Sequence, residues 1–269
     1  RRAVGELSAG RDGSFWSKKK RPQLLLMAAI VDELLTAHEA ATHADSGPFQ
    51  IVDIGGSKGH LAEHLAERFG NRVNVSVVDI EEGRILAGAA RARRRAELLS
   101  GGGTRANLHF VAGDAAELSR DGVLGGIDLV LGLHACGGLS DLIIAHAVAH
   151  RAAFAVCTCC FLSNTRLQVP SSRADDSTLP RDAWLDDGTS SSAEASATLH
   201  ALLKAAEQQD DPQIAQLGAH SVNAMRAAAA KRHWAAGNVV TPLRVELRSF
   251  EPKYSPRNFV VVGRPECIT

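Results

Sequence analysis

The chain has 269 residues, 45% of them apolar and 4% aromatic, and its 30 basic and 30 acidic residues leave a formal net charge of zero. That length suits one large domain or two small ones, and the balanced charge excludes a global field drawing the protein to nucleic acid or an anionic membrane. No apolar stretch approaches the roughly 18 uncharged residues of a membrane span, and the basic opening segment has no signal-peptide core, so a soluble, intracellular and cytoplasmic protein is expected.

Arg1 is no initiator, so further residues are expected ahead of it. Residues 1–20 are polar, rich in Gly and Lys, and read as a flexible leader. Over residues 22–39 the apolar side chains Leu24, Ala28, Val31 and Leu35 recur at helical spacing, with Pro22 suited to a first turn. Short apolar runs then alternate with helical patterns. Strands are expected at 50–55 (QIVDIG), 74–80 (NVSVVDI), 108–114 (LHFVAGD), 127–133 (IDLVLGL) and 152–157 (AAFAVC), and helices at 59–69, 84–99 and 139–149. The strands are largely apolar on both faces, as in a parallel sheet covered by helices on each side. Residues 171–196 are rich in Ser, Asp, Gly and Thr and read as a flexible insertion, and an Ala-rich helical stretch follows over 193–234, broken near Pro212. Two last strands, at 243–250 and 258–262, flank a Pro-rich turn and suit an antiparallel hairpin closing one sheet edge. The sum is a Rossmann-like α/β fold, one domain over 21–265 with an irregular insertion at about 165–197.

The sharpest local feature is Asp53-Ile-Gly55-Gly56-Ser57-Lys58-Gly59-His60, lying between a strand and a helix. Glycines allow a tight turn and a close approach of ligand to backbone, and the helix start offers free N–H groups. Neither phosphate-binding pattern fits. A dinucleotide fingerprint counted from Gly55 meets Ser57 and His60 where it needs glycines, and Gly59 is followed by His60 where a phosphate loop needs Lys. What remains is a glycine loop with an acid at each of three successive strand ends: Asp53, Asp79 and Asp114. An acid after the second strand can accept both hydroxyls of a ribose, and Asp114 can receive an adenine amino group. The alternative is that Asp79 and Asp114 merely cap turns. Loop, acids and final hairpin in this order resemble the class I S-adenosylmethionine (SAM) methyltransferases, whose sheet has seven strands, mostly parallel, with an antiparallel C-terminal hairpin. That resemblance implies SAM as cofactor, held by Asp53, Gly55, Gly56, Ser57, Gly59, Asp79 and Asp114.

The fourth strand ends in Leu133-His134-Ala135-Cys136-Gly137-Gly138-Leu139-Ser140-Asp141 and the fifth in Cys157-Thr158-Cys159-Cys160-Phe161. Ligands of open α/β sheets sit outside the carboxyl ends of the strands, so both segments should border the crevice that the glycine loop borders. The LHACG run followed by a Cys-Cys-aromatic strand end resembles the methyltransferase domain of the glutathione S-transferase C-terminal domain-containing proteins. More distantly it resembles methyltransferase-like proteins carrying LHTCG and the transfer-RNA 2′-O-ribose methyltransferases carrying HLCG. The similarity extends over about residues 22–264, including SPRNFVVVG at 255–263, without a glutathione-transferase part. It implies a SAM-dependent methyltransferase with RNA as the first acceptor to consider. If the acceptor is a hydroxyl, a base must take its proton, and imidazole is the side chain whose ordinary pKa lies nearest neutrality, which nominates His134. Cys136, Cys159 and Cys160 complete the candidate catalytic rim, as pocket walls or as activated nucleophiles. The competing view is that His134 bonds backbone and the thiols pack as small apolar groups.

Other patterns point elsewhere. Cys157 and Cys160 have CxxC spacing, and with Cys136 and His134 a zinc site can be drawn, yet residues three apart in a strand face opposite ways, so no metal ligand is assigned. His60-Leu-Ala-Glu63-His64 matches an inverted zinc-peptidase motif but follows directly on the glycine loop, where a cofactor-facing helix start is expected instead. The basic clusters at 18–21 and at Arg91, Arg93, Arg94 and Arg95 read as solvated faces and support RNA only weakly. A non-catalytic methyltransferase-like binding or scaffold module, or a zinc-binding Cys-cluster protein, stays open as the alternative to an enzyme.

Overall fold

The computed structural model describes residues 21–42, 47–100, 105–171, 178–237, 240–251 and 259–266. The expected leader at 1–20, most of the Pro-rich turn before the last strand and Cys267 lie outside the described residues. In chain order the elements are α1 (Arg21–Ala41), β1 (Phe49–Ile54), α2 (His60–Phe69), β2 (Val73–Asp79), α3 (Glu82–Ser100), β3 (Leu108–Ala112), α4 (Ala115–Arg120), β4 (Leu129–Cys136), α5 (Gly138–Ala149) and β5 (Ala153–Cys159). They continue with β6 (Gln168–Pro170), β7 (Thr178–Pro180), α6 (Arg181–Leu185), α7 (Ser192–Ala206), α8 (Pro212–Ala236), β8 (Leu243–Ser249) and β9 (Phe259–Pro265).

Seven strands form one sheet in the order β3-β2-β1-β4-β5-β9-β8. β1 to β5 pair in parallel, and β9 runs antiparallel to both β5 and β8. This is the Rossmann-like sheet with an antiparallel C-terminal hairpin expected from the sequence. The order reverses between β1 and β4, so a crevice opens at the carboxyl ends of these two strands.

Alternation along each strand divides the core into two layers. Phe49 and Ile51 of β1, Leu129 and Leu131 of β4, and Ala155 and Cys157 of β5 pack on one face against α1 and α2. Val52 and Ile54, Val130, and Phe154 and Val156 face the other way, toward α5, α7 and α8. Both faces of the strands are covered, which is why they read as unbroken apolar runs. Among the described residues no helix is long and apolar enough to cross a membrane.

The segment expected to be irregular at 165–197 carries the β6–β7 hairpin, α6 and the start of α7, with residues 172–177 outside the described set. Its anchor is Trp184, fully buried with Val169 and Leu185 in the core layer formed with α5, α7 and α8. One buried indole supplies more apolar area than the surrounding Ser and Asp residues can offset, and it pins a segment whose composition alone suggests a loop. The helical stretch after it breaks where Pro212 predicts: Asp211 caps α8 by accepting from the N–H groups of Gln213 and Ile214, and Pro212 occupies the first turn.

Candidate functional site

At the sheet's reversal point lies a cavity of about 300 Å³. Gln23 and Leu24 of α1 roof it, Asp53, Gly55, Gly56 and Ser57 form its floor, and His60, Leu61, Arg84, Leu133 and His134 complete the wall. The helix expected over 22–39 thus covers the cavity, while Gln23, Arg84 and His60 join the site without having been singled out for it. Gly55 turns the chain with φ +71°, in the left-handed region that favours glycine. Gly56 packs so closely on the end of β1 that a Cβ there would stand 2.6 Å from Oδ2 of Asp53. The loop is therefore a backbone cradle that side chains would fill.

Asp53 is 1% exposed, and its Oδ1 has no hydrogen-bond partner. Burial, reinforced by the nearby Asp79 carboxylate, raises its pKa from 3.8 to about 7. A buried, unsatisfied carboxyl is costly to keep unless something at the site repays it. Asp79 follows at the end of β2, where its Oδ2 accepts from the Ser57 N–H at 3.0 Å and its Oδ1 from the Glu81 N–H at 2.9 Å. It ties the glycine loop to the second strand, and a carboxylate's roughly four lone-pair sites leave room for a ligand hydroxyl. Asp114 is exposed and accepts from the Glu117 N–H at 3.3 Å, capping the first turn of α4. Neither Asp79 nor Asp114 lines the cavity itself. Gly59 holds φ +67° against the Phe110 ring, which would meet a Cβ at 2.7 Å, so this glycine serves the packing of α2 on the sheet.

The rim is shaped by a β-bulge. Pairing of β4 with β5 runs from Leu133 opposite Cys157 to Ala135 opposite Thr158 and Cys136 opposite Cys159, so His134 is the extra residue. It is exposed, takes φ +63° and lines the cavity mouth. The extra residue also reverses the alternation beyond it, so that Cys136 faces the same side of the sheet as Leu133. Sγ of Cys136 and Sγ of Cys159 then lie 3.3 Å apart, and the sulfurs of Cys136, Cys159 and Cys160 all fall within 4.8 Å of one another. Cys157, one member of the CxxC pair, is instead buried in the core under α1, where burial raises its thiol to about 12. The Cys136 hydrogen bond, burial and the adjoining thiols hold the Cys159 thiol far above its ordinary range, so without a cation it is a thiol and not a nucleophilic thiolate.

Behind the rim sits a buried ionic network that the sequence did not disclose. Arg226 of α8, 1% exposed, donates from Nε to Asp141 Oδ1 at 2.7 Å and from Nη2 to Asp141 Oδ2 at 3.2 Å. The same Nη2 reaches the Gly137 carbonyl at 3.0 Å, while Nη1 donates to Asn223 Oδ1, whose amide donates to Thr158. One guanidinium thereby fixes both strand ends that carry the rim residues. The available sequence signal was Arg226 itself, a charged residue directly before four alanines of α8.

The remaining motifs are absorbed by structure. His60 Nε2 accepts from Arg91 at 2.9 Å, which assigns its proton to Nδ1, and the Glu63 carboxylate pairs with Arg91 and Arg95. The zinc-peptidase motif is therefore a packing arrangement, and Arg91 and Arg95 belong to a bridge between α2 and α3 rather than a solvated face.

Several known proteins resemble this chain. A 70-residue stretch is 33% identical to the ubiquinone/menaquinone biosynthesis C-methyltransferase UbiE of Rhizobium meliloti, covering 26% of this chain and 24% of that protein, about a quarter of that relative's length. A SAM dependent methyltransferase from Aquifex aeolicus superposes with TM-score 0.42 at 10% identity over 94% of this chain and 93% of the other. Magnesium protoporphyrin IX methyltransferase of Synechocystis PCC 6803 with bound SAH gives TM-score 0.47 at 11% identity over 97% and 90%. A family model described as a methyltransferase domain matches residues 19–164, which spans the roof helix, the glycine loop, the bulge and the thiol cluster. With more than half of its 269 residues inside that match, the chain belongs to the methyltransferase-domain family.

Proposed function

We propose that this protein binds S-adenosylmethionine in the cavity under α1 and transfers its methyl group to a hydroxyl of an RNA acceptor presented at the His134 rim. The observation that carries the cofactor reading is the buried Asp53 carboxyl, whose Oδ1 has no partner in a cavity floored by a glycine cradle. When bound, SAM supplies a methyl group on a positively charged sulfonium, together with an ammonium group. Asp53 offers the one carboxyl of the cavity lining, Gly55, Gly56, Ser57 and Gly59 let the backbone approach closely, and Asp79 and Asp114 stand at the next two strand ends with acceptor capacity.

Methyl transfer is an in-line displacement, so most of the protein's contribution is positioning. The bulge holds His134 at the cavity mouth, where its imidazole takes the acceptor's hydroxyl proton as the methyl group is transferred. An RNA 2′-hydroxyl is the acceptor favoured by the likeness of LHACG and the Cys-Cys-aromatic strand end to the transfer-RNA 2′-O-methyltransferase group.

Calorimetry with SAM and labelled-methyl transfer into RNA pools test this together. Asp53→Asn should weaken SAM binding by at least about tenfold, the loss expected when a charged partner is removed. His134→Ala should keep binding and lose about 10²-fold or more in transfer. Label recovered in protein or small molecules with RNA unlabelled would overturn the acceptor and leave the cofactor site standing. SAM binding indifferent to Asp53→Asn would overturn the site.

A further inference from the structure

Three thiols on two neighbouring strand ends converge beside the cofactor cavity, and methyl transfer to a hydroxyl does not use them. We propose that Cys136, Cys159 and Cys160 form a three-thiolate site for a thiophilic divalent cation, zinc, whose fourth coordination position is left for solvent or an incoming ligand. This inference is independent of the acceptor and of the SAM reading.

The distances suit such an ion. Four ligands about 2.3 Å from tetrahedral zinc stand roughly 3.8 Å from one another. The sulfurs lie close to that value, with Cys136 and Cys159 3.3 Å apart and all three within 4.8 Å, so small side-chain rotations suffice. Among the described residues no other group of three His, Cys, Asp or Glu side chains comes together in this way.

The backbone that carries the thiols is held by contacts that do not involve the sulfurs. The Cys136 carbonyl accepts from Asn164 Nδ2 at 3.1 Å, the Cys159 carbonyl from the Gly137 N–H at 2.9 Å, and the Cys160 carbonyl from the Ser163 N–H at 2.9 Å. Cys160 takes φ +46°, ending the strand and turning its sulfur back toward the other two. This turn answers the objection that residues along a strand alternate in facing. The extra residue at His134 does the same for Cys136, which in an unbulged pairing would fall opposite Cys160 and on the other face. Two backbone irregularities, each in the left-handed region for a residue other than glycine, thus coincide with the convergence of the thiols. Beneath them, Arg226 bonds the Gly137 carbonyl and Asn223 bonds Thr158, fixing both chain segments from the core side. Such support is what positions metal ligands before the metal arrives.

All three cysteines are half-buried, while Cys157 is closed off in the core. Three protein ligands and partial solvent access describe an open zinc site rather than a closed structural one. Zinc displaces the thiol protons as it binds and changes no oxidation state, so no oxidant or co-reactant is required.

The test uses the full chain, reduced, stripped with a chelator and titrated with zinc and separately with Co²⁺. Expected are about one equivalent bound per chain and Co²⁺ spectra with the sulfur-to-metal charge transfer and intense visible bands of tetrahedral thiolate coordination. Cys136→Ser, Cys159→Ser and Cys160→Ser should each weaken binding at least about tenfold. Cys157→Ala is the control that should leave affinity unchanged. Far-UV circular dichroism on each variant separates loss of ligand from loss of fold, and a variant that fails to fold is replaced by the corresponding Ala substitution. Binding well below one equivalent by the folded wild type, or binding that persists in a folded triple variant, would overturn the proposal.

Discussion

His134 is where local backbone chemistry and function meet. A side chain at φ +63° brings its Cβ against the neighbouring carbonyl, at a cost of roughly 1–2 kcal/mol for a residue other than glycine. His134→Gly removes that strain but gains unfolded-state freedom worth about 1 kcal/mol, so its stability should equal that of the parent or exceed it by up to about 1 kcal/mol. His134→Val, branched at Cβ, should lose about 1–3 kcal/mol by the reverse argument. Denaturant midpoints order the three proteins, and a glycine variant less stable than the valine variant would remove strain from the account. Both variants should lose methyl transfer, because the imidazole is gone in each. A residue whose replacement leaves stability intact and abolishes activity is held there by function.

At the scale of elements, the Arg226–Asp141 pair joins α8 to α5 and to the rim. Both side chains are buried, and without Arg226 the Asp141 carboxylate keeps only the Arg181 guanidinium, 4.0 Å away, so removing Arg226 costs about 3–5 kcal/mol. Arg226→Met should therefore lower the unfolding free energy by that amount, and adding Asp141→Asn should restore more than half of it, since the neutral amide no longer needs a cation. Chemical denaturation of the single and double variants checks this, and an unrecovered double variant would assign the loss to the contact of the Arg226 guanidinium with the Phe161 ring instead. This network also marks the limit of what the sequence discloses. β1 to β5 were legible because each is a short run dominated by apolar residues, even where β2 carries Asn74 and Ser76 and β3 an exposed His109, and the glycine loop and LHACG run were legible because they abut strand ends. Arg226 and Asp141 lie 85 residues apart, and nothing in either neighbourhood announces the other. β6 and β7 are too short for any period to appear, and α6 hides its anchor Trp184 among Ser and Asp. The bulge at His134 is invisible for a related reason: it changes which residue faces which, and that exists only relative to the partner strand.

For the whole molecule, buried titratable groups set opposing dependences of stability on pH. His146, 1% exposed, has its pKa lowered from 6.5 to about 3 by burial and then by the neighbouring His150, and burial lowers that of His64 as well. The unfolded chain takes up protons below pH 6.5 that these folded imidazoles refuse, so their contribution is intact above that pH and is lost progressively as pH falls, for His146 down to about 3. Asp53 acts in the other direction. Its folded pKa of about 7 lies above the unfolded 3.8, so the folded state holds a proton that the unfolded state releases, and stability declines as pH rises from about 4 to 7. Fully expressed, that penalty is on the order of 4 kcal/mol, at about 1.4 kcal/mol for each pKa unit. His146 and Asp53 roughly offset one another between pH 6.5 and 4, and the lowered pKa values of His64, His150 and His233 all tip the balance the same way, so the ligand-free wild type should melt at lower temperature at pH 5 than at pH 7. Asp53→Asn removes the opposing arm. The variant should gain most over the wild type at pH 8, where the carboxyl would be ionised, gain least near pH 4, and lose stability more steeply on acidification. Thermal melts of both proteins across this range decide the matter. A variant less stable than the wild type at pH 8 would show that the Asp53 carboxylate stabilises the ligand-free fold, and the stored cost assigned to the cofactor cavity would then be absent.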